Sequence, residues 1–262
     1  MTRYVTLAWH YVRLAVMHEV QYRINFFLQI IEALIALGTA LVVLALVYAH
    51  TDQLGGWYHD ELQALLGVFT IMMAILRMSI QPNIERLIGD IQQGSFDFVL
   101  VKPIDAQWQV SIRELRIWQS VDVIAGGVVI VHALWNLGER ITWQHAVLFG
   151  ITLGNGMLLI YAVWMLISCI AFWVIRIDNI FELFDNVASA GRLPVNVYPA
   201  WVRIVLTYVV PVAFAVTVPA QAITARLDMP SLYLQTAVTL TFLVALRGVW
   251  RRALVRYSGA SA

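Results

Sequence analysis

Apolar residues in this chain come in long blocks, separated by shorter stretches that hold most of the charge. A helix crosses the roughly 30 Å hydrocarbon layer of a bilayer with about 20 residues, at about 1.5 Å per residue. Blocks long enough for this lie at about 24–48, 61–80, 112–134, 145–175, 201–218 and 232–249. They predict an all-α polytopic membrane protein whose six transmembrane helices form a single transmembrane domain, 1–262. The third block is interrupted, because Arg113, Glu114, Arg116 and Asp122 occupy its first half. Ahead of the first block, residues 1–22 place Tyr4, Leu7, Tyr11 and Leu14 at three-to-four spacing. That arm reads as an interfacial helix, with its aromatic residues at headgroup level.

The connections are unequal. The longest polar one runs from Pro82 to Gln109. Pro82 suits the first turn of a helix, where its missing N–H costs nothing. Ile84, Leu87, Ile88 and Ile91 then form one stripe, Glu85, Arg86, Asp90 and Gln92 the polar remainder, and Gly94 a stop. The pattern predicts a short transverse helix that rests on the span ends and offers its polar face to a cytoplasmic partner. After it, FDFVLVKP is apolar but short. In DNIFELFDNVAS, residues 178–189, a second surface helix is expected. Pro211 breaks the fifth block, and Pro219 ends or bends it again, since each proline removes a backbone donor and crowds the preceding turn.

Composition excludes a soluble enzyme. Hydrophobic residues make up 61% and charged residues 13% of 262, against about 45–50% and about 25% in soluble domains. The formal net charge of +1 conceals an asymmetry. With six spans, all cations except Arg140 and Arg226 fall on one side, 15 of 17. The positive-inside rule then puts both termini in the cytoplasm. The balance suggests no nucleic-acid partner. Cys169 stands alone, so there is no disulfide framework.

Chemistry-bearing motifs are missing. There is no GxxxxGK[ST] loop, no HExxH and no GxGxxG, so neither catalysis nor a cofactor or metal site is expected in this chain. Glu32 and Asp122 lie inside apolar blocks, where a charge costs about 2.5–3.5 kcal/mol on insertion scales. A pathway contact and a structural pairing both remain open for them. Arg77 sits about one turn inside a span end, within snorkelling reach. Gly126, Gly127, Gly150, Gly154 and Gly156 offer places for close helix packing.

Three stretches resemble a known family: YRINFFLQIIEAL, IQQGSFDFVLVKPIDAQWQ, and FDNVASAGRLPVNVYPAWVRIVLTYVVPVAFAVTVPAQAI with Pro194, Tyr198, Pro199, Pro211, Pro219 and Ala220. With them the chain resembles permease subunits of ABC-2 type ABC transporters, in their six-span branch. The resemblance implies an ABC-2 (type V exporter-like) fold with an N-terminal interfacial helix and a cytoplasmic coupling helix. It implies the membrane half of an ATP-driven exporter in the bacterial cytoplasmic (inner) membrane. By this likeness segment 82–103 docks on a separate ATPase subunit. Glu85, Arg86, Asp90 and Gln93 would make the contact, Gly89 and Gly94 would shape the helix, and Asp97, Lys102 and Pro103 the following turn. Two ATPase subunits would carry ATP and Mg, and a second permease, homologous or identical, would complete the pathway among membrane lipids. Pro199, Pro211 and Pro219 would kink the fifth span. A secondary transporter would instead show inverted repeats with midplane ligands, and neither stands out; a membrane scaffold without an ATPase is the other alternative.

Overall fold

The structure is a computed structural model that describes residues 23–138, 142–173 and 186–257, together with the isolated helical positions Trp9, Tyr11, Arg13 and Met17. The arm expected at 1–22 lies outside the described residues apart from those four positions, and most of the surface helix expected over 178–189 lies outside them too. Among the described residues the elements are helical, and the one β contact pairs Leu54 with Trp57 in a tight turn. Five helices there are long and apolar enough to cross a membrane, which makes this a multi-pass membrane fold.

The first, α1 (Arg23–Tyr48), turns Phe27, Leu34, Ile35 and Leu46 outward. Next, α2 (His59–Ile75), a π-turn (Leu76–Ile80) and α3 (Gln81–Gln92) form one uninterrupted helical run of 34 residues. At about 1.5 Å per residue that is roughly 50 Å, longer than the hydrocarbon layer is thick. Its α3 portion therefore projects past the bilayer. The expected transverse helix is instead a continuation of α2. The reason lies at Pro82, which cannot donate to the Met78 carbonyl. Arg116 N–H fills the vacancy at 2.9 Å, and Gln81 N–H reaches back to the Leu76 carbonyl, so the helix widens without breaking.

Two short helices follow, α4 (Asp97–Leu100) and α5 (Ala106–Val110). The third span begins later than expected. Residues 113–116 are not helical, a 3-10 turn covers Ile117–Gln119, and α6 runs Ser120–Leu137. Then α7 (Trp143–Ser168) is prolonged by a 3-10 turn to Phe172. After 3-10 turns at Ser189–Arg192 and Val195–Val197 come α8 (Ala200–Ile204), a π-turn (Val205–Val209), α9 (Val212–Ile223) and α10 (Met229–Arg256).

The fifth block needs correction. Instead of one span over 201–218, Ala200–Val209 and Val212–Ile223 meet at 91°. Both ends of this hairpin are tied to the same α1–α2 connection. Asn196 Nδ2 donates to the Gly55 carbonyl at 2.6 Å, and Arg226 donates to the Gly56 carbonyl at 2.8 Å and pairs with Glu61. Phe172, by contrast, stacks with Trp250 and Tyr257 at the far end of α10. Phe172 and Asn196 thus stand at opposite ends of the helices. Arg192 and Arg203 therefore leave the side on which the sequence counts them, which lowers that side's cations from 15 to 13. Pro219 also departs from expectation: it sits inside α9, which continues through it.

Lipid is as apolar as leucine, so helices associate in it by close packing and hydrogen bonds. A Cβ on Gly67 of α2 would stand 2.8 Å from the Gly126 carbonyl of α6, and one on Gly156 of α7 would stand 2.6 Å from the Ala215 carbonyl of α9. Between α7 and α10, Asn155 donates to Thr236, Thr239 to the Asn155 carbonyl, and Gln235 to the Thr152 carbonyl. At the hairpin end, buried Trp57 is the hub. Its carbonyl accepts from Tyr48, its indole donates to Asn196, and the Arg226 guanidinium lies 5.0 Å from its ring centroid.

Candidate functional site

At the end away from Trp57, residues 76–119 form a folded module beneath the helices. Its organiser is Asn83. The Asn83 amide donates to the Ser79 and Glu114 carbonyls, and its oxygen accepts from the Arg113 and Glu114 N–H groups at 2.8 and 2.9 Å. The strand-like return is thereby fastened along α3, and three ion pairs follow. Arg116 reaches Glu85 at 2.5 Å, Arg86 meets Glu114, and Arg113 holds Asp90 at 2.7 Å with both side chains largely buried.

The expected contact residues therefore divide. Glu85, Arg86 and Asp90 are each engaged in an ion pair within the chain that holds α3 to its own return segment, with Arg86 exposed beside Glu114. Gly89 is half-buried, Gln93 is exposed, and Gly94 takes φ +70°, stopping α3 as its sequence suggests. Asp97 opens α4 beside Tyr257, whose hydroxyl is raised above its ordinary value by burial and by that carboxylate. Lys102 and Pro103 stand exposed in a turn closed by Ile104 N–H donating to the Lys102 carbonyl.

What projects from the module is apolar. Phe98 is 76% and Val101 83% exposed, whereas Phe96 just before them and Val99 between them are buried. Phe96 sits edge-on to Phe172, Trp250 and Tyr257, with ring centroids 5.3–6.3 Å away. The knuckle 92–103 is thus gripped by the ends of α7 and α10. A second grip comes from Arg247 of α10, which donates to Asp105 at 2.9 Å and Gln107 at 2.7 Å. Its hydrogen bond holds the Asp105 carboxyl below the usual carboxylate range. Ser111 and the Tyr161 hydroxyl of α7 add a third, at 2.8 Å. Phe98 and Val101 escape a reading by periodicity because the four consecutive residues 98–101 are all apolar. That is also the signal: a segment outside the bilayer with no polar face needs a partner.

A groove on the other side of the molecule runs between α1, α2 and residues 189–198. Its half nearer the module is lined by Ala33, Arg77, Asp122 and Arg192. The other half is a cavity of about 490 Å³ walled by Val43, Leu44, Val47, Leu62 and Tyr198, and the halves share Ala36, Ala40, Leu66, Ser189 and Arg192. Arg77 and Asp122 are therefore brought together as the sequence allows, while Glu32 is exposed on neighbouring α1. Asp122 accepts from Gln29 at 2.9 Å. Arg192 lies over the Phe69 ring at 5.6 Å. Pro199 caps α8 and Pro211 marks the 91° bend. Among the described residues no group of three or more His, Cys, Asp or Glu converges as metal ligands would.

A family model described as ABC-2 family transporter protein matches residues 34–261. No curated protein and no solved structure matches the chain.

Proposed function

The chain belongs to the ABC-2 family of transporter proteins, as one of its multi-pass permeases, and we propose that it is the translocation subunit of an ATP-driven exporter. In this reading the module end faces the cytoplasm of a bacterial inner membrane, in line with the cation bias, and both termini lie there. Two separate ATPase subunits, carrying ATP and Mg, dock beneath two permeases, this chain and an identical or homologous second one.

The observation that carries the reading is the knuckle 92–103, apolar and exposed at its tip and backed by the ends of α7 and α10. Phe98 and Val101 enter a groove on the ATPase, with Gln93, Lys102 and Pro103 around them. Glu85, Arg86 and Asp90 act one step behind, by keeping α3 and its return segment a single body. When the ATPases close on ATP, the knuckle moves and Phe96 transmits that motion to the ends of α7 and α10. Alternating access requires only that such a push bias two packings of the helices.

The test is co-purification. Phe98→Arg with Val101→Asp is expected to leave membrane insertion and thermal stability intact while cutting recovery of the ATPase at least tenfold. Asp90→Arg, facing Arg113, is expected to lose the folded module, because removing one partner of a buried pair costs about 3–5 kcal/mol. Wild-type ATPase recovery by the folded Phe98/Val101 double variant refutes the docking surface.

A further inference from the structure

Arginines at the module end fall into two groups. Arg86, Arg113, Arg116 and Arg247 each pair with a carboxylate. Arg251, Arg252 and Arg256, on the last two turns of α10, are exposed, and among the described residues none of them forms an ion pair or hydrogen bond. The module's one acid outside those pairs, Asp97, stands beside Tyr257. Tyr257 and Trp250 turn the other way from the three arginines, onto Phe96. Three guanidiniums thus share the outward side of one helix end, and no described residue neutralises them.

Their depth is that of the headgroups. Asp228 caps the opposite end of α10, and from Met229 to Leu246 the helix carries no charge. The rise from Asp228 to Arg251 is about 35 Å, against a hydrocarbon layer of roughly 30 Å. A tilt of about 20°, the average for a spanning helix, still leaves about 32 Å. Arg251 and Arg252 therefore lie at the boundary of the apolar layer, and Arg256 about 6 Å beyond Arg252. Apolar surface is mixed with this charge: Trp173, at the end of α7, is 49% exposed, and Val255, between the arginines, 87%. Among the described residues these five line a cavity of about 580 Å³ whose walls are chiefly apolar. Arginine stems supply such walls while the charged ends reach the polar side, and tryptophan is enriched at this level of a membrane.

We propose that this patch binds the phosphate of an anionic phospholipid in the leaflet at the module end, with Arg251, Arg252 and Arg256 holding the phosphate and Trp173 and Val255 against the glycerol and upper acyl chain. Guanidiniums suit a phosphate better than ammonium groups do, because their planar N–H forks match its oxygens. A free phosphate would use the guanidiniums alone; the apolar walls and the depth point to a lipid. None of the five residues lines the groove beside α1, so the lipid is a resident ligand, separate from any transport path. It fixes the end of α10, whose other side backs Phe96 and, one turn earlier, holds Asp105 through Arg247. The site needs only that the chain spans a bilayer, and so goes beyond the exporter reading without resting on it.

The experiment follows the unfolding midpoint of the purified full-length chain in neutral detergent while dioleoyl-phosphatidylglycerol or dioleoyl-phosphatidylcholine is added. The anionic lipid is expected to raise the midpoint in a saturable way and the zwitterionic one to leave it within about 1 °C, in keeping with stabilisation by ligand linkage. Arg251→Gln, Arg252→Gln and Arg256→Gln combined should weaken the apparent affinity for the anionic lipid about tenfold, through loss of charge-assisted hydrogen bonds. The lipid-free midpoint of that variant is expected to match wild type, since the three side chains are exposed; a lower one assigns them to the fold and overturns the site. Inorganic phosphate should give no shift, and a shift equal to the lipid's overturns the lipid as its source. Equal responses to both lipids, or a wild-type response in the triple variant, overturn the site as well. So does a triple variant that keeps its lipid response but no longer recovers the ATPase, which gives the patch to that partner instead.

Discussion

Single residues decide which face of the module formed by residues 76–119 is open. Asp90 on α3 and Gln93 at its C-cap are both expected contact residues, yet one is clamped by Arg113 and the other is exposed. The difference is made by Asn83, which bonds two consecutive backbone N–H groups of the return segment and so sets where the three arginines reach. Asp105 has a measurable signature. Arg247 lowers its carboxyl pKa in the folded protein, so the grip it provides is fully present above the unfolded carboxylate value of about 3.9 and is lost as pH falls through the lower folded value. Protease nicking of the 92–111 segment is expected to rise on acidification below about pH 4. In Asp105→Asn it should be already raised at neutral pH and flat with pH through that window. An identical pH profile in both proteins removes Arg247–Asp105 as a grip.

At the scale of elements, prolines act through what surrounds them. Pro82 and Pro211 each follow a π-turn, and in each the residue before the proline donates five residues back, Gln81 to Leu76 and Val210 to Val205. At Pro82 the helix goes on, because Gln81 keeps helical angles and Arg116 satisfies the Met78 carbonyl. At Pro211 it bends by 91°, because Val210 swings to φ −129° and ψ 79°, the extended bias of a residue before proline. Pro219 bends nothing, and the carbonyl it cannot bond, Ala215, points at Gly156. Gly156→Ala should therefore cost about 1–3 kcal/mol through overpacking, read as a lower unfolding midpoint. A Cβ at Gly150 or Gly154 meets nothing within 4 Å, so alanine there should leave the midpoint unchanged or slightly higher. Equal losses at all three positions would mean that the Gly150xxxGly154 pattern, and not the Gly156–Ala215 approach, holds the helices.

Over the whole molecule, two ends of different character are joined by the helices. One is pinned around Trp57, where Arg226 and Asn196 hold the α8–α9 hairpin to the α1–α2 connection. The other presents the knuckle, joined through Phe96 to α7 and α10. Aromatic edge contacts of this kind contribute about 0.5–1.5 kcal/mol each beyond area burial, enough to make the joint stiff. Phe96→Leu keeps an apolar side chain there and removes the ring contacts. ATPase recovery should stay within twofold of wild type, while the ATP-dependent change in labelling of a cysteine placed at Ala36 in the groove, in a Cys169→Ser background, should fall at least threefold. An unchanged ATP response would sink the transmission path.

Much of this was legible along the chain. Block length, the side-to-side charge bias, the stop at Gly94, the stripe Ile84–Leu87–Ile88 and the break at Pro211 are local properties, written in consecutive residues and in the cost of moving charge into hydrocarbon. They carried the reading to an all-α multi-pass membrane protein, and the resemblance of three stretches added the ABC-2 permease family. Partnership was not legible. Arg113 meets Asp90 across 23 residues, Arg247 meets Asp105 across 142, and Asn196 meets the Gly55 carbonyl across 141. Those long-range contacts paired Glu85 and Asp90 within the chain, left Phe98 and Val101 outside, folded the fifth block into a hairpin and brought Arg192 and Arg77 to one groove. A period along one helix tells which residues share a face; only the packing of the other helices determines what that face meets.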